Sequence, residues 1–356
     1  MSLKDRLTAR IRSFGPITVA EYMTACLHDP AGGYYATRPA LGEDGDFITA
    51  PMISQMFGEL IGLWAVETWR GMGRPGRVVL AEAGPGTGAL MDDALRAARL
   101  DPDFIAAAEL WLVETSAPLA TIQRERLTGG PLTPQWATGL ADLPGDAPLI
   151  LIANELLDCL PARQFVRTEA GWAERRVGLD DQGALTFGLA PCPADQAPEI
   201  EAPLGAIMEI SAAQSALGSQ IGARLAQTGG AALLIDYGRD TPGFGDTLQA
   251  LKGHRKLSPL ETPGEADLTI HADFPAVAAA ARAVGAASSP ILTQRELLMR
   301  LGVRERAQAL AKARPDRAET LQRQLARLTQ PDQMGGLFKA LAIHARGLVP
   351  PGFETI

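Results

Sequence analysis

From Gly76 onward, continuous apolar runs alternate with runs of helical periodicity, and this alternation is the strongest constraint on the fold. The apolar runs predict strands: "RVVLAEAG", "LWLVETS", "QWAT" and "APLILIANELLD". The segments "ALMDDALRAARL" and "APLATIQRERL" lie between them and predict helices. Strands that are apolar on both faces and alternate with helices are typical of a parallel sheet covered on both sides. The sequence therefore predicts an α/β fold with a mostly parallel, Rossmann-like sheet.

Helices are predicted before this core. Thr18 and Glu21 have the spacing of a capping box and predict a helix start. A second helix is predicted over about Ile53–Arg70, with an apolar stripe on one face. That stripe fits either the core or a contact between the two subunits of a homodimer. We expect residues 1–75 to form a helical extension or lid.

Two insertions are predicted within the remaining domain, residues 76–356. Alternating apolar and polar residues predict an antiparallel ribbon at about 161–208. A long segment rich in glycine and proline, followed by helices, predicts an additional helical region at about 239–330. A helix near Ser211 to Gln227 and the apolar strand "GAALLIDYG" separate the two insertions.

Composition excludes several classes of protein. The 356 residues are 46% hydrophobic, as in ordinary globular proteins, and carry a net charge of -8. This charge gives no reason to expect broad attraction to nucleic acid or to an anionic membrane. No apolar run reaches the length of about 18 residues that a spanning helix needs, so we expect no membrane span. The three cysteines, Cys26, Cys159 and Cys192, are far apart, which predicts reduced thiols and no metal site.

A turn with three glycines follows the first strand of the core. Its pattern is an acid, Glu82, followed by Gly84, Pro85, Gly86 and Gly88. A phosphate-binding Walker loop needs Lys and Ser or Thr after its last glycine, and Ala-Leu follows here. The dinucleotide fingerprint needs its third glycine one residue later. The spacing favours S-adenosyl-L-methionine, whose carboxylate would face the helix N-terminus, over a turn that binds nothing.

Two further strand ends suggest ribose and adenine contacts. Glu114 ends the second strand, where a carboxylate can accept hydrogen bonds from both ribose hydroxyls, and Thr115 follows it. A dinucleotide enzyme would need the same acid, so Glu114 alone predicts only a ligand that contains ribose. After the third strand, Asp142 and Leu143 are candidates for the adenine contact.

The fourth strand ends in polar residues at the edge where α/β sheets bind ligands. Asn154 offers an amide and a carbonyl, and Glu155 and Asp158 are three apart, so on a helical turn they share a face. Two carboxylates near a sulfonium could hold a guanidinium and help to remove its proton. Alternatively, Asn154 caps a helix whose first turn contains both acids.

Several longer segments occur in a characteristic order: "GDFITAPMISQMFGELIG", "EAGPGTGALMDDAL", "ANELLDCLPARQF", "IDYG", "GDTLQALKGH", "PGEADLTIHADF" and "MGGLFKALAIH". With these segments the chain resembles the MidA-like methyltransferases from about Gly15 to His344. The resemblance implies a class I fold that depends on S-adenosyl-L-methionine. For the mitochondrial member it also implies methylation of an arginine on a subunit of respiratory complex I, in support of complex I assembly.

By position, the resemblance implies that the three glycines form the cofactor turn, Glu114 binds ribose, and Asn154 and Glu155 border the active site. The segments Gly45–Pro51 and His271–Phe274 would line the substrate side. Met52 stands where an acid is expected, and leucines follow Glu155 where aromatics are expected. His271 is a candidate general base because the ordinary pKa of histidine is near neutrality.

Alternative functions remain open at this point. They are a methyltransferase of the same fold that acts on a small molecule, a non-catalytic assembly protein and, more remotely, a nicotinamide dehydrogenase. The N-terminus "MSLKDRLTARIRSFG" is basic, but Asp5 and the patterned sequence after it predict a first helix of the mature chain. High alanine and arginine usage favours a bacterial cytoplasmic protein; in a eukaryote we expect the mitochondrial matrix.

Overall fold

The computed structural model describes residues 1–37 and 49–354. Residues 45–48 of the segment predicted to line the substrate side lie outside this part of the chain. The helices are α1 (Leu3–Phe14), α2 (Val19–His28), α3 (Tyr34–Thr37), α4 (Ala50–Ile53), α5 (Gln55–Gly71), α6 (Ala89–Ala98), α7 (Pro102–Ala107), α8 (Ala117–Leu127), α9 (Ala212–Thr228), α10 (Phe274–Ala283), α11 (Gln294–Arg300), α12 (Val303–Ala313), α13 (Ala318–Thr329) and α14 (Met334–Leu337).

The strands are β1 (Ile17–Thr18), β2 (Val78–Ala83), β3 (Ala108–Val113), β4 (Gln135–Ala137), β5 (Leu149–Asn154), β6 (Arg163–Thr168), β7 (Gly171–Leu179), β8 (Leu185–Pro191), β9 (Ile207–Ile210), β10 (Gly230–Arg239), β11 (Gln249–Lys252), β12 (Arg255–Leu257), β13 (Asp267–Thr269), β14 (Ala272–Asp273), β15 (Ala287–Ser288), β16 (Leu292–Thr293) and β17 (Phe338–His344).

The central sheet has the strand order β15-β17-β10-β5-β2-β3-β4. Strands β4, β3, β2, β5 and β10 are parallel, and β17 is antiparallel to β10. Strands β2 and β5 are buried along their whole length because helices cover both faces, which explains their continuous apolar sequence. The predicted α/β class, with a mostly parallel sheet, is confirmed.

Two apolar cores lie on the two faces of this sheet. One contains α5 and α6 together with side chains such as Trp64 and Leu80. The other contains α9 and α10, with Ile221 and Val277. The apolar stripe of α5 is buried in the chain's own cores: Met56, Phe57, Leu60, Ile61 and Trp64 are at most 2% exposed. The stripe is therefore part of the core, and it offers no surface for a dimer contact.

A third core joins the N-terminus to the predicted ribbon. Leu7, Tyr22 and Val177 pack there with residues of β11 and β13. The Thr18 hydroxyl accepts from the Glu21 N–H at 3.1 Å, and the Glu21 carboxylate accepts from the Thr18 N–H at 2.8 Å, so the predicted capping box is confirmed. The helical extension 1–75 thus contributes to two different cores, because α1 and α2 pack with the ribbon and α5 packs with the central sheet.

The ribbon is an antiparallel sheet in which β6, β7, β8 and β9 join β1. The second predicted insertion, 239–330, stays a prediction. Its interval contains α10, which packs on the sheet, and β15, which pairs with β17 in the sheet itself. Strand β15 has only two residues, Ala287 and Ser288, which is too short for an alternating pattern to show in the sequence. In residues 1–37 and 49–354, no helix combines the length and the apolar character required to cross a bilayer.

Candidate active site

A cavity of about 500 Å³ lies where the carboxyl ends of β2, β3 and β5 meet. This is the edge at which parallel α/β sheets bind ligands. We name two of its sides. The glycine-turn wall consists of Glu82, Gly84, Pro85, Gly86 and Glu114. The N-terminal wall consists of His28, Tyr35, Thr49, Pro51 and Met52.

The glycine turn connects β2 to α6 with a left-handed backbone at all three glycines. The φ angles are 66° at Gly84, 53° at Gly86 and 76° at Gly88, values that side chains with a Cβ rarely adopt. A Cβ at Gly84 would lie 2.9 Å from Leu156 Cδ1. The turn therefore requires glycine for its conformation, and at Gly84 also for space.

Glu82 is buried beneath this turn, with 2% of its surface exposed. Its Oε2 accepts no hydrogen bond from any of residues 1–37 and 49–354. Burial, with a smaller contribution from the Glu114 carboxylate, raises the pKa of Glu82 to about 8. Buried polar atoms usually have partners. An acceptor without one in a cavity wall suits a ligand that donates a hydrogen bond or carries positive charge.

Glu114 is held in place by hydrogen bonds on both of its oxygens. Oε1 accepts from the Ser116 N–H at 2.7 Å, and Oε2 accepts from Gln123 Nε2 at 3.0 Å. Burial raises the pKa of Glu114, and these donors oppose the rise. Thr115 lines the cavity beside it. Gln123 could not be predicted as a site residue, because a glutamine inside a predicted helix gives no local signal.

The predicted adenine contacts are displaced. Asp142 belongs to a short 3-10 turn, and its Oδ2 accepts from the N–H and the hydroxyl of Thr138. Leu143 is buried in the core next to α9. Neither lines the cavity; Gly139 and Leu140 of the same loop do. The adenine contact at Asp142 and Leu143 stays a prediction, and in the structure the Asp142 carboxylate binds Thr138 of its own loop.

Asn154 and Glu155 follow one another at the end of β5. Asn154 Nδ2 donates to Glu155 Oε1 at 2.9 Å, and the Ala50 N–H donates to the same oxygen at 3.0 Å. Asn154 Oδ1 is buried and accepts no hydrogen bond within the described part of the chain. Glu155 has φ 54°, an unusual value for a residue with a side chain. Strain of this kind is concentrated at functional sites.

Burial raises the pKa of Glu155 to about 7, against the opposing effect of the Ala50 N–H. Nearby carboxylates of Asp236 and Asp267 add to the rise. Glu155 therefore combines a cavity position with a pKa near neutrality, as a group that accepts and releases protons requires.

The helical turn predicted after Asn154 does not form. Asp236, at the end of β10, accepts from the N–H groups of Leu157 at 2.6 Å and Asp158 at 3.2 Å. The segment after Asn154 forms a turn, and no helix begins there. Asp158 does not line the cavity, and burial raises its pKa well above the ordinary value. It lies with Asp236 and Asp267 behind Glu155.

His271 is not brought to the cavity either. Its ring packs edge-on against Tyr237, with 4.3 Å between the ring centroids, and the backbone N–H of His271 donates to Thr247 Oγ1. His28 of α2 lines the cavity instead, near Tyr35. His28 and Tyr35 could not be predicted as cavity residues, because no local pattern shows which N-terminal residues lie at the edge of the sheet.

Comparison with known proteins identifies the family. Residues 60–291 match the family described as "Putative S-adenosyl-L-methionine-dependent methyltransferase". The mitochondrial protein arginine methyltransferase NDUFAF7 of Danio rerio is 34% identical, with 96% of this chain and 86% of the relative covered. The human protein of the same name is 35% identical, with 95% and 82% covered. The chain belongs to this methyltransferase family.

A solved structure from Burkholderia thailandensis, bound to S-adenosyl-homocysteine, has the same fold as this methyltransferase. The two superimpose with a TM-score of 0.85 at 28% identity, over 99% of this chain and 92% of the other. The predicted class I fold and the cofactor S-adenosyl-L-methionine are thereby confirmed. The cofactor's chemistry also fits the cavity, where the buried acceptor Glu82 Oε2 lies beside a glycine turn with room for close backbone approach.

Proposed function

We propose that this methyltransferase transfers a methyl group from S-adenosyl-L-methionine to an arginine side chain of a partner protein. The observation that carries the proposal is Glu155, a carboxylate in the cavity wall whose pKa is raised to about 7. The names of the relatives, which are protein arginine methyltransferases, support it. Subunits of respiratory complex I are the first candidate acceptors, because of the resemblance described above.

The glycine-turn wall binds the cofactor in this proposal. Glu82 accepts from the cofactor's ammonium group, Gly84 and Gly86 admit its methionine part, and Glu114 accepts from its ribose hydroxyls. Thr115 and Pro85 complete this side, and Gly88 begins the helix behind it. When bound, S-adenosyl-L-methionine supplies a methyl group on a positively charged sulfur.

Glu155 orients the acceptor and removes its proton. Ala50 and Asn154 both donate to Oε1, which fixes the carboxylate and leaves Oε2 to accept from the guanidinium. Asn154 Oδ1 is a second buried acceptor at the same place. As the new N–C bond forms and the C–S bond breaks, the reacting nitrogen loses a proton, which passes to Glu155. Asp158 lies behind Glu155, and burial, with smaller contributions from the carboxylates of Asp236, Asp267 and Glu155, raises the pKa of Asp158.

The test measures methyl transfer to a cell extract that lacks this chain. Labelled cofactor is added with the purified methyltransferase, and the protein and small-molecule fractions are analysed separately. We expect label in methylarginine after hydrolysis of the protein fraction. Label confined to small molecules would support the small-molecule alternative, and no transfer with intact cofactor binding would support the assembly protein.

The Glu155→Gln variant tests the role of the carboxylate. Loss of a general base typically costs 100-fold or more in rate. We expect kcat to fall by about 100-fold or more, while cofactor affinity changes by less than about 3-fold. Asp158→Asn should have a smaller effect on kcat. Glu169→Gln, on an exposed ribbon turn, is the matched control. Full activity of the Glu155→Gln, Asp158→Asn double variant would refute the arginine proposal.

For location and assembly we propose the cytoplasm in a bacterium and the mitochondrial matrix in a eukaryote. The mitochondrial names of the relatives support the second. Cell fractionation with an antibody against this chain tests this location.

Formation of a homodimer also stays a prediction, and sedimentation of the purified chain tests it.

A further inference from the structure

Gln123 of α8 lies behind the glycine-turn wall and makes three side-chain hydrogen bonds there. It is fully buried and does not line the cavity. Its Nε2 donates to the Gly86 carbonyl at 2.8 Å and to Glu114 Oε2 at 3.0 Å. Its Oε1 accepts from the indole N–H of Trp136, on β4, at 2.9 Å. One side chain thereby joins the glycine turn, the end of β3 and strand β4.

The orientation of this amide follows from its partners. A backbone carbonyl and a carboxylate can only accept, and an indole N–H can only donate. The NH₂ group must therefore face Gly86 and Glu114, and the oxygen must face Trp136. A flipped amide would lose all three hydrogen bonds inside a buried region, where unpaired polar groups are costly.

We propose that Gln123 is a positioning residue that fixes the Glu114 carboxylate and the Gly86 carbonyl relative to each other for cofactor binding. This inference rests on the proposed contact between Glu114 and the ribose. Ser116 and Gln123 each hold one carboxylate oxygen, so the plane of the carboxylate is set before the ligand arrives. Each oxygen keeps a second lone pair for a ribose hydroxyl.

The energetic consequence is preorganisation. A free glutamate loses rotamer freedom when it binds a ligand, and a group already held loses less. The same glutamine restrains the turn at Gly86, a residue with no side chain to stabilise its left-handed backbone. Trp136 secures the glutamine in turn, and Arg124 stacks over the Trp136 ring at 4.5 Å. Loss of Gln123 should therefore affect cofactor affinity more than the rate of transfer.

The experiment measures the dissociation constant of S-adenosyl-homocysteine by calorimetry, and KM and kcat for S-adenosyl-L-methionine, in the full chain. Gln123→Met keeps the length of the side chain and removes its hydrogen bonds. Hydrogen bonds to a charged group are worth enough for an expected loss of affinity of about 10-fold to 100-fold. KM should rise by a similar factor, and kcat at saturating cofactor should change by less than about 3-fold.

Gln123→Glu should weaken binding further, because its carboxylate would face the Glu114 carboxylate and the Gly86 carbonyl. Trp136→Phe removes only the hydrogen bond to Gln123 Oε1 and should give a smaller loss of cofactor affinity. This variant tests the inference if the two Gln123 variants fold poorly. Gln294→Met is the matched control, since Gln294 is equally buried and donates to Leu328 O far from the cavity. It should lower thermal stability without changing KM.

Two results would overturn the inference. If Gln123→Met lowers thermal stability as Gln294→Met does and leaves cofactor affinity unchanged, Gln123 is only structural. If Trp136→Phe and Gln123→Glu also leave affinity unchanged, the same conclusion holds. Glu114→Gln separates this failure from failure of the proposed site. If Glu114→Gln weakens cofactor binding and Gln123→Met does not, the contact between Glu114 and the ribose is supported and the positioning role of Gln123 is refuted.

Discussion

The two walls of the cavity are built in different ways. The glycine-turn wall comes from neighbouring strands, and Gln123 holds it through bonds to Glu114, nine residues away, and to Gly86, 37 residues away. The N-terminal wall is held by distant contacts. The Ala50–Glu155 bond joins residues 105 apart, and Tyr35 donates to Asp267 across 232 residues. We infer that the first wall can be changed without the second, and that the second depends on the packing of the whole chain.

The largest effect should come from breaking the glycine-turn wall. In Gly84→Val, a branched side chain must take φ 66°, and its Cβ meets Leu156 Cδ1 at 2.9 Å. Strain of this kind costs about 1–3 kcal/mol, and the added methyl groups displace the turn further. We expect cofactor affinity to fall by about 100-fold or more. Calorimetric titration with S-adenosyl-homocysteine measures this fall.

Gly188→Val is the matched control for this prediction. Gly188 lies in β8, where an added Cβ meets no atom within 4 Å and the backbone is not left-handed. Its affinity should equal that of the parent chain. If Gly84→Val bound the cofactor normally, the cofactor would not contact the turn. The assignment of cofactor binding to the glycine-turn wall would then be wrong.

The same difference explains what the sequence could predict. The strands, the capping box at Thr18 and the glycine turn all depend on local patterns, and the structure has each where it was predicted. The alternative in which Asn154 caps a helix was wrong: the segment after it is a turn whose Leu157 N–H donates to Asp236, 79 residues away, a contact that no local pattern shows. His28 and Tyr35 reach the cavity through tertiary packing, which no local pattern encodes.

A middle-sized effect should appear in the pH dependence of stability through Glu82. Its pKa is about 8 in the folded chain and near 4.5 when unfolded, so the folded state binds the extra proton. Stability is therefore highest below the unfolded pKa and falls as pH rises from about 4.5 to 8. Over this window the loss in the free energy of unfolding should be on the order of 5 kcal/mol. Glu82→Gln should remove that loss.

Urea unfolding of the parent and of Glu82→Gln at several pH values gives the free energy of unfolding at each pH. The slope of this free energy against pH is then compared between the two proteins. If the buried amide of Glu82→Gln lowers stability, it lowers it equally at every pH. The slope of stability against pH is therefore not affected by that loss. Glu109→Gln, on β3, is the informative control because Arg77 lowers the pKa of Glu109. Because a lowered pKa acts only below the ordinary value of 4.5, Glu109→Gln should leave the slope between pH 4.5 and 8 as it is in the parent. Equal slopes for Glu82→Gln and the parent would mean that folding does not raise the pKa of Glu82.

The smallest effect should come from the N-terminal wall. Tyr35→Phe removes the hydroxyl that donates to Asp267 Oδ1 at 2.9 Å and keeps the ring that packs against Tyr34 and His28. Loss of one such bond costs about 1 kcal/mol of stability. Because Asp267 adds to the rise in the pKa of Glu155, we expect a several-fold change in kcat/KM for the protein acceptor. Cofactor affinity should not change.

Steady-state assays with varied acceptor, beside calorimetry for the cofactor, separate the two walls. Tyr237→Phe is the matched control, since Tyr237 packs against His271 away from the cavity. If Tyr35→Phe lowered cofactor affinity and the kcat/KM for the acceptor equally, a change in the N-terminal wall would also alter the glycine-turn wall, and the two walls would not be independent. An effect on the acceptor alone would mean that a contact spanning 232 residues serves the acceptor side, and that the cofactor side keeps its geometry through the bonds of Gln123, which span at most 37 residues.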